Sequence, residues 1–557
     1  MSRLGRLLGL VRRTPTVLRT LAPLRPAQLR AQVAHLFTGV QAPVRLDAAS
    51  LALAVEAPST PFLDPAPHVD VRPAAGDSLA LELLSLALEV VPGTVDWATD
   101  RHGPLFAYHL HEQAWLRHAG LAPAARRAVL DDWIARHREG VGWDPHPISL
   151  RLLSWGKLLL SAGALPPDED LRSRVIRSMA DQAETLARGV EVRLQANHLL
   201  SNRIGVVWAG LLFEGEDADR WRAGSEALLA ELDAQVHRDG THEERSPMYH
   251  SLILENGLDL LNLARRSPRT PEGFVEALGG VLGRMTRALA RFTGPGNRIA
   301  LFADSAWGVA AEPPALFDYA DRLGVVEGRP GPGDLPFDDS GYARIDGGDF
   351  VLIASTAGPS PDHQPGHAHC DVLAFELFVG GRRLVTDTGV YEYRPGEHRD
   401  RARATASHAT LRFDGKEQSE VWAAHRVGGR ARVEPVEAGA DFAEYVVRGW
   451  SRGAPRHVRR FERASGEIVV RDTVRSGGHA VESRLPLAPE WTVELLGERA
   501  RVRHADGTVV TIELEGGLAW TIERAPFHPT FHAEVERNVL VGRGVTPLGS
   551  TLRFRRD

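Results

Sequence analysis

Near residue 330 the spacing of apolar residues changes, and that change divides the chain. From about residue 78 to 325 they recur every three or four positions. This period predicts helices over Ser78–Val90, Pro104–His118, Ala122–His137, His146–Ala162, Asp168–Arg188, Gln195–Phe213, Asp217–Val236, Ser246–Arg265 and Pro271–Arg291. Turn-forming breaks such as Ala164-Leu-Pro-Pro167 and Ser267-Pro-Arg-Thr-Pro271 separate them. Antiparallel helices joined by such short loops predict helical hairpins set in an arc or toroid. After the linker-like Glu327-Gly-Arg-Pro-Gly-Pro-Gly-Asp334 the pattern becomes that of strands: Phe350–Ala354, Val372–Val379, Ala431–Val436, Phe442–Val447, Glu467–Val474 and Val509–Leu514. Turn residues recur between them, which favours an antiparallel β-sandwich over alternating α/β units. The reading is an α+β multidomain chain: an N-terminal arm over 1–75, an (α/α) toroid over 76–330 and an antiparallel sandwich over 335–557.

A chain of 557 residues is too long for one ordinary core, which agrees with that division. The formal charge of −6 argues against a nucleic-acid partner, whose domain would be strongly basic. Only Lys157 and Lys416 are lysines, so any basic groove is built of guanidinium groups suited to carboxylate and sulfate. Cys370 is the single cysteine, which rules out an intrachain disulfide. Arg12 and Arg13 interrupt the Leu7–Val11 run before a signal core forms, and no stretch is long enough to span a membrane. The expectation is a cytoplasmic protein, with the periplasm and a surface-lying basic N-terminal helix left open. Oligomeric state is not legible.

Three stretches carry the candidate chemistry. In Gly366-His-Ala-His-Cys-Asp371 the two histidines leave one face of an extended backbone. Gly380-Gly381 signals a two-residue hairpin returning through Arg382–Thr386 to Asp387, and His408 follows. His367, His369, Asp387 and His408 have the donor types of a divalent-metal set; the plain alternative is hydrogen-bonded surface histidines. An ideal hairpin would pair Asp387 with Ala374, about 16 Å from His369 at ~3.3 Å per residue, so a shared metal requires residues 366–371 to fold back. In Gln195-Ala-Asn-His-Leu-Leu-Ser-Asn202, His198 and Asn202 share a helix face, and the plain alternative is a helix cap. In Asp239–His250, Ser246-Pro247 starts a helix whose first turn carries Tyr249; the plain alternative is a capping loop with Tyr249 in the core.

Together with Leu105–His111, Trp143–Arg151 and Leu301-Phe-Ala-Asp-Ser305, these stretches resemble the heparinase II/III-like polysaccharide lyases over roughly residues 100–420. The resemblance implies a toroid followed by a sandwich, with the cleft between them. It implies that Asn197 and His198 contact a uronate carboxylate, that Tyr249 moves protons at the scissile bond, and that His367 is a base. It further implies that His369, Asp387 and His408 hold a structural zinc, with no organic cofactor. Cys370 and Ala409 depart from the family pattern, where alanine and asparagine are expected.

Such an enzyme removes the C5 proton alpha to the uronate carboxylate and expels O4. Donors aimed at the carboxylate stabilise the charge that develops there, each worth ~3 kcal/mol. Asn202, Arg245 and Arg403 are further candidates for substrate binding. Arg245 and the helix N-terminus are expected to lower the Tyr249 pKa. Arg399, Arg401 and Arg403 either line the cleft or form a solvated loop balanced by Glu397 and Asp400. The expected substrate is an acidic polysaccharide: a glycosaminoglycan, alginate or an exopolysaccharide. Two other classes stay open, a metal-dependent hydrolase using activated water and a non-catalytic acidic-polysaccharide-binding protein.

Overall fold

The change of period at residue 330 is also a change of architecture. The computed structural model describes residues 14–38, 42–46, 51–56, 60–74, 78–333 and 341–557. The Leu7–Val11 run and the last residues of the predicted linker lie outside them. The helical half contains Pro104–Glu112, Pro123–Arg136, Pro145–Leu160, Glu169–Arg188, Ala196–Leu212, Pro247–Ala264 and Phe274–Arg291, much as the period requires. The stretch read as one helix over Asp217–Val236 is two, Glu216–Arg222 and Ser225–Gln235, and Pro313–Arg322 adds a helix that was not expected. Local chemistry sets several starts. Asp168 accepts the backbone N–H groups of Asp170 and Leu171, and proline occupies the first turn of five of these helices.

Ser78–Val90 is not a helix. Leu79–Leu83 and Leu86–Val90 are antiparallel strands that join Val69–Pro73 in a three-stranded sheet. Leucine favours helices, but Leu79, Leu81 and Leu83 alternate with exposed residues and bury one face of a strand. The turn residues Leu84 and Ser85 both have positive φ, at 54° and 62°. Here a two-residue period overrode intrinsic propensity.

The C-terminal half is antiparallel β. An eight-stranded sheet and a four-stranded sheet formed by 411–413, 480–486, 519–527 and 535–545 make up most of it. A second four-stranded sheet runs in sequence order through Tyr342–Gly347, Phe350–Ser355, Phe375–Val379 and Arg382–Val385. The last sheet belongs to both halves: Ile353 and Phe378 pack with the helical core, while Leu352, Phe375 and Leu377 pack with the sandwich core. The 14–21 helical stretch and Pro26–Thr38 also cross between halves. Thr16 and Arg19 hold Glu420, and Gln28 donates to the His363 carbonyl.

The expected hairpin forms, with Gly380 and Gly381 at φ 53° and 82°. Its register slips by one residue: Phe378 faces Arg383, but Leu377 faces Val385. The strand also begins at Phe375 rather than Val372. Residues 366–374 turn back before it, with Leu373 at φ 58° and the Ala374 amide on the Asp371 carbonyl. The fold-back that a shared metal requires is therefore present.

Arg459 fixes this fold-back to the sandwich. It forks onto both oxygens of Asp472 at 2.7 and 2.8 Å and donates to the carbonyls of Leu373 and Ala409 at 2.7 Å each. Burial raises the Asp472 pKa, but Arg459 and His457 outweigh it and hold the carboxyl well below the usual range. Arg459→Met should leave that carboxylate buried and unpaired and cost about 3–5 kcal/mol in denaturant unfolding. In the wild type, the stabilisation from Asp472 is complete above the unfolded carboxylate value of about 3.9 and fades as pH falls below it. Arg459→Met should lose that acid-dependent component.

Candidate active site

A cavity of about 580 Å³ opens where the N-terminal turns of Pro145–Leu160, Ala196–Leu212 and Pro247–Ala264 meet the loops around 366, 393, 425 and 531. Asn197, His198, Tyr249 and His367, expected to act together, all line it. Tyr249 enters as the sequence requires: Ser246 caps the helix by accepting the Tyr249 amide, and Pro247 holds its first position. Asn197 is no helix cap. The cap position is Gln195, which makes no side-chain capping bond. Gln195 and Ala196 both adopt positive φ, 63° and 48°, a conformation that costs of order 1–3 kcal/mol per non-glycine residue. The strained entry turns Asn197 toward the cleft, where its amide donates to both Glu244 oxygens at 2.9 Å and lies 3.4 Å from His367 Nε2.

The rings of Tyr249 and His367 stack with centroids 3.9 Å apart. The Tyr249 hydroxyl meets that of Tyr393 at 3.2 Å. His367 Nδ1 faces Asp304 Oδ2 at 2.8 Å, and the Asp304 amide donates to the His367 carbonyl. A carboxylate only accepts, so Nδ1 carries a proton, which in the neutral ring makes Nε2, beside the Asn197 amide, the acceptor. Asp304 is shared: His369 Nε2 lies 2.8 Å from Oδ1, and Arg399 forks onto both oxygens. Burial raises the Asp304 pKa, but Arg399 and the two histidines outweigh it and keep it well below the usual carboxylate range.

Charge in the cleft is set by burial and pairing. Burial pushes the Tyr249 phenol well up; the Tyr393 hydroxyl and Arg399 only partly oppose it. The expectation of a lowered phenol is thus overturned. Arg245, proposed to lower it, does not line the cavity; its side chain packs beside Gly341 and its carbonyl accepts the Tyr342 hydroxyl. Burial likewise raises the Glu244 carboxyl. Burial lowers His198, but its 3.0 Å contact with Glu191 outweighs that and raises its pKa.

Two more expected substrate contacts are structural. Asn202 is fully buried outside the cavity, accepting the Glu191 amide at 2.8 Å, so it shapes the turn that places Glu191 under His198. Arg403 is buried beneath the histidine loop, donating to the carbonyls of Ala368, Ala423, Ala424 and Arg426. Its neighbours on the short helix Glu397–Arg403 divide: Arg399 is buried on Asp304, and Arg401 pairs at the surface with Glu397. Neither lines the cavity as a free cation.

His369, Asp387 and His408 are brought together by the fold-back. The two histidine rings lie 5.5 Å apart, and His408 Nδ1 is 3.0 and 2.9 Å from the Asp387 oxygens. His369 Nδ1 and His408 Nε2 are buried without hydrogen-bond partners. Their ligand atoms do not gather as closely as three other sets, His146–Glu191–His198, Asp304–His367–His425 and His398–His528–Glu534, each within 4.8 Å. The departures from the family pattern are accommodated: Cys370 Sγ is buried on the Ser419 carbonyl, and Ala409 lies in the sandwich core.

Comparison with known proteins places the chain in a family. Residues 126–315 match the heparinase II/III N-terminus and residues 329–551 the heparinase II/III-like C-terminal domain. The chain belongs to the heparinase II/III-like family. It is 25% identical over 320 residues to a heparin-sulfate lyase of Pedobacter heparinus, covering 51% of this chain and 47% of that protein. It therefore spans about half the length of that relative. It is 26% identical over 418 residues to the FtsZ-localized protein C of Caulobacter vibrioides, covering 71% of this chain and 69% of that one. The crystal structure of heparinase III shares the fold with a TM-score of 0.67 at 18% identity, over 84% of this chain and 80% of that chain.

The sequence left Asp304, Glu244, Tyr393 and His425 without roles in this site. Asp304 stood inside Leu301–Ser305, one of the family-like segments, and Glu244 beside the helix start; nothing local marked Tyr393 or His425. If the Tyr249 hydroxyl is the reacting atom, Tyr249→Phe should keep the stack and the melting temperature but lower kcat by roughly 10²–10⁴, with KM little changed. Near wild-type turnover in that variant would make Tyr249 a packing residue.

Proposed function

We propose that this protein is a polysaccharide lyase that cleaves a uronate-containing acidic polysaccharide, a glycosaminoglycan in the first instance, by β-elimination. The observation that carries the reading is the stack of Tyr249 on His367, with Asn197 and Glu244 beside it in one cleft. His367 Nε2 takes the C5 proton, the C5–H electrons form the C4–C5 double bond, and the C4–O4 bond breaks. Tyr249, kept protonated by burial, delivers its proton to O4. Burial also favours the neutral carboxyl of Glu244, which together with Asn197 donates to the uronate carboxylate as charge builds on it. His198, held toward its cationic form by Glu191, adds positive potential on the same side.

Assay against glycosaminoglycans, alginate and bacterial exopolysaccharides tests the reading through the ultraviolet absorbance of an unsaturated uronate. Absorbance that grows with a glycosaminoglycan supports it. Saturated products would favour the metal-dependent hydrolase, and binding without products the non-catalytic polysaccharide-binding protein.

We also propose that His369 and His408, with Asp387, hold a structural zinc. The buried, unpartnered nitrogens His369 Nδ1 and His408 Nε2 suit such an ion, and Asp387, which now faces His408 Nδ1, would have to turn from that nitrogen to join them as a ligand. Elemental analysis should find zinc in the purified protein, and His369→Ala should lose an equivalent together with melting temperature. Wild-type protein that is metal-free and equally stable with and without zinc would contradict this.

A further inference from the structure

A second histidine cluster lies outside the lining of the cavity. The helix Glu397–Arg403 presents His398, and the segment after strand Ala519–Phe527 presents His528 and Glu534. His528 Nε2 and His398 Nδ1 each stand 3.8 Å from the same oxygen, Glu534 Oε2. Both nitrogens are buried and lack a hydrogen-bond partner.

His528 is only 1% exposed, and its other nitrogen, Nδ1, faces the Ala533 carbonyl at 3.3 Å. A carbonyl only accepts, so Nδ1 carries the proton and Nε2 points a lone pair at a carboxylate oxygen. Two lone pairs facing one another repel unless a cation lies between them. A protonated imidazole could serve, but it would close to hydrogen-bond distance, and 3.8 Å at both histidines is too long. The backbone carbonyl behind His528 is the outer support that metal-bound histidines usually have.

We propose that His398, His528 and Glu534 form a binding site for a borderline divalent cation, best suited to Zn²⁺. Zinc bonds of about 2.0–2.2 Å in tetrahedral geometry place ligand atoms roughly 3.3 Å apart. The two histidine–carboxylate distances of 3.8 Å must each close by about half an ångström, and all three ligand atoms already lie within 4.8 Å of one another; the half-exposed Glu534 and His398 side chains can supply the movement. Three protein ligands leave the fourth position to water.

The ion would add a side-chain link between the helix Glu397–Arg403 and the 528–534 segment, which the backbone already ties to the 388–391 stretch through the His528 and His532 amides. The helix bearing His398 also bears Arg399, which orients Asp304. The segment bearing His528 also bears Phe531, edge-on to Tyr393 at 5.1 Å, and His532, which meets the Leu84 carbonyl of the N-terminal sheet. Metal binding here would stiffen the rim around Tyr393. The site is separate from the His369–Asp387–His408 set and does not rest on the lyase reading.

The test is zinc titration of chelator-stripped full-length protein by calorimetry, with melting temperature followed in parallel. His398→Ala and Glu534→Gln alter partly exposed side chains, and circular dichroism checks that each variant is folded. Each should bind one equivalent fewer than wild type and show a smaller zinc-dependent rise in melting temperature. His369→Ala should retain this equivalent, which separates the two sites. Equal stoichiometry in wild type and both variants, or no zinc bound by wild type, would overturn the proposal.

Discussion

The structure of the cleft depends on one buried carboxylate. Asp304 lies at the end of the helical half and receives His367, His369 and Arg399, all from the sandwich half. An ionised carboxylate without water is among the costliest groups to bury, so it persists only where partners fill its acceptor sites. Those partners are His367, the proposed base, the neighbouring histidine of the proposed zinc set and the arginine under Tyr393. The two halves are thus joined by the same charge that fixes the tautomer of His367. Loss of the junction would also release the proposed base, His367, from its partner.

From that point the protonation pattern of the cleft follows without special assumptions. Burial raises the Tyr249 phenol, with Asp304 and Glu244 adding to it, and burial raises the Glu244 carboxyl against the pull of His367, Asn197 and His198, so both lean toward their protonated forms. His198 sits on a paired carboxylate and is drawn toward its charged form. His367 presents a bare nitrogen. One group accepts a proton and two can donate, as an elimination beside a carboxylate requires. The opposite arrangement, a phenolate prepared by Arg245, would have needed a cation that the fold spends elsewhere.

Much of the fold was legible because it rests on period. Helices such as Glu169–Arg188 and strands such as Glu467–Val474 appear where the spacing and the caps put them. The failure at Leu79–Val90 is instructive: leucine-rich segments carry both signals, and only the alternation of buried and exposed positions decides between them. Of the site, Asn197, His198, Tyr249 and His367 were legible through motifs and do line one cavity. Asn202, Arg245 and Arg403 were misplaced because a polar residue near a motif can serve backbone groups as readily as substrate. Their partners, the Glu191 amide, the packing beside Gly341 and the Ala368 carbonyl, come from distant segments or from backbone turns that leave no local trace. Asp304 shows the same limit, since its importance lies in three residues 63 to 95 positions away.

The central claim is that the cleft eliminates rather than hydrolyses, and isotope labelling tests it most directly. Turnover of an acidic polysaccharide in ¹⁸O-enriched water should give fragments with a C4–C5 double bond and no ¹⁸O from solvent, because water forms no bond in the reaction. Saturated fragments carrying one ¹⁸O at the cleavage point would contradict the account and assign the cleft to a hydrolase.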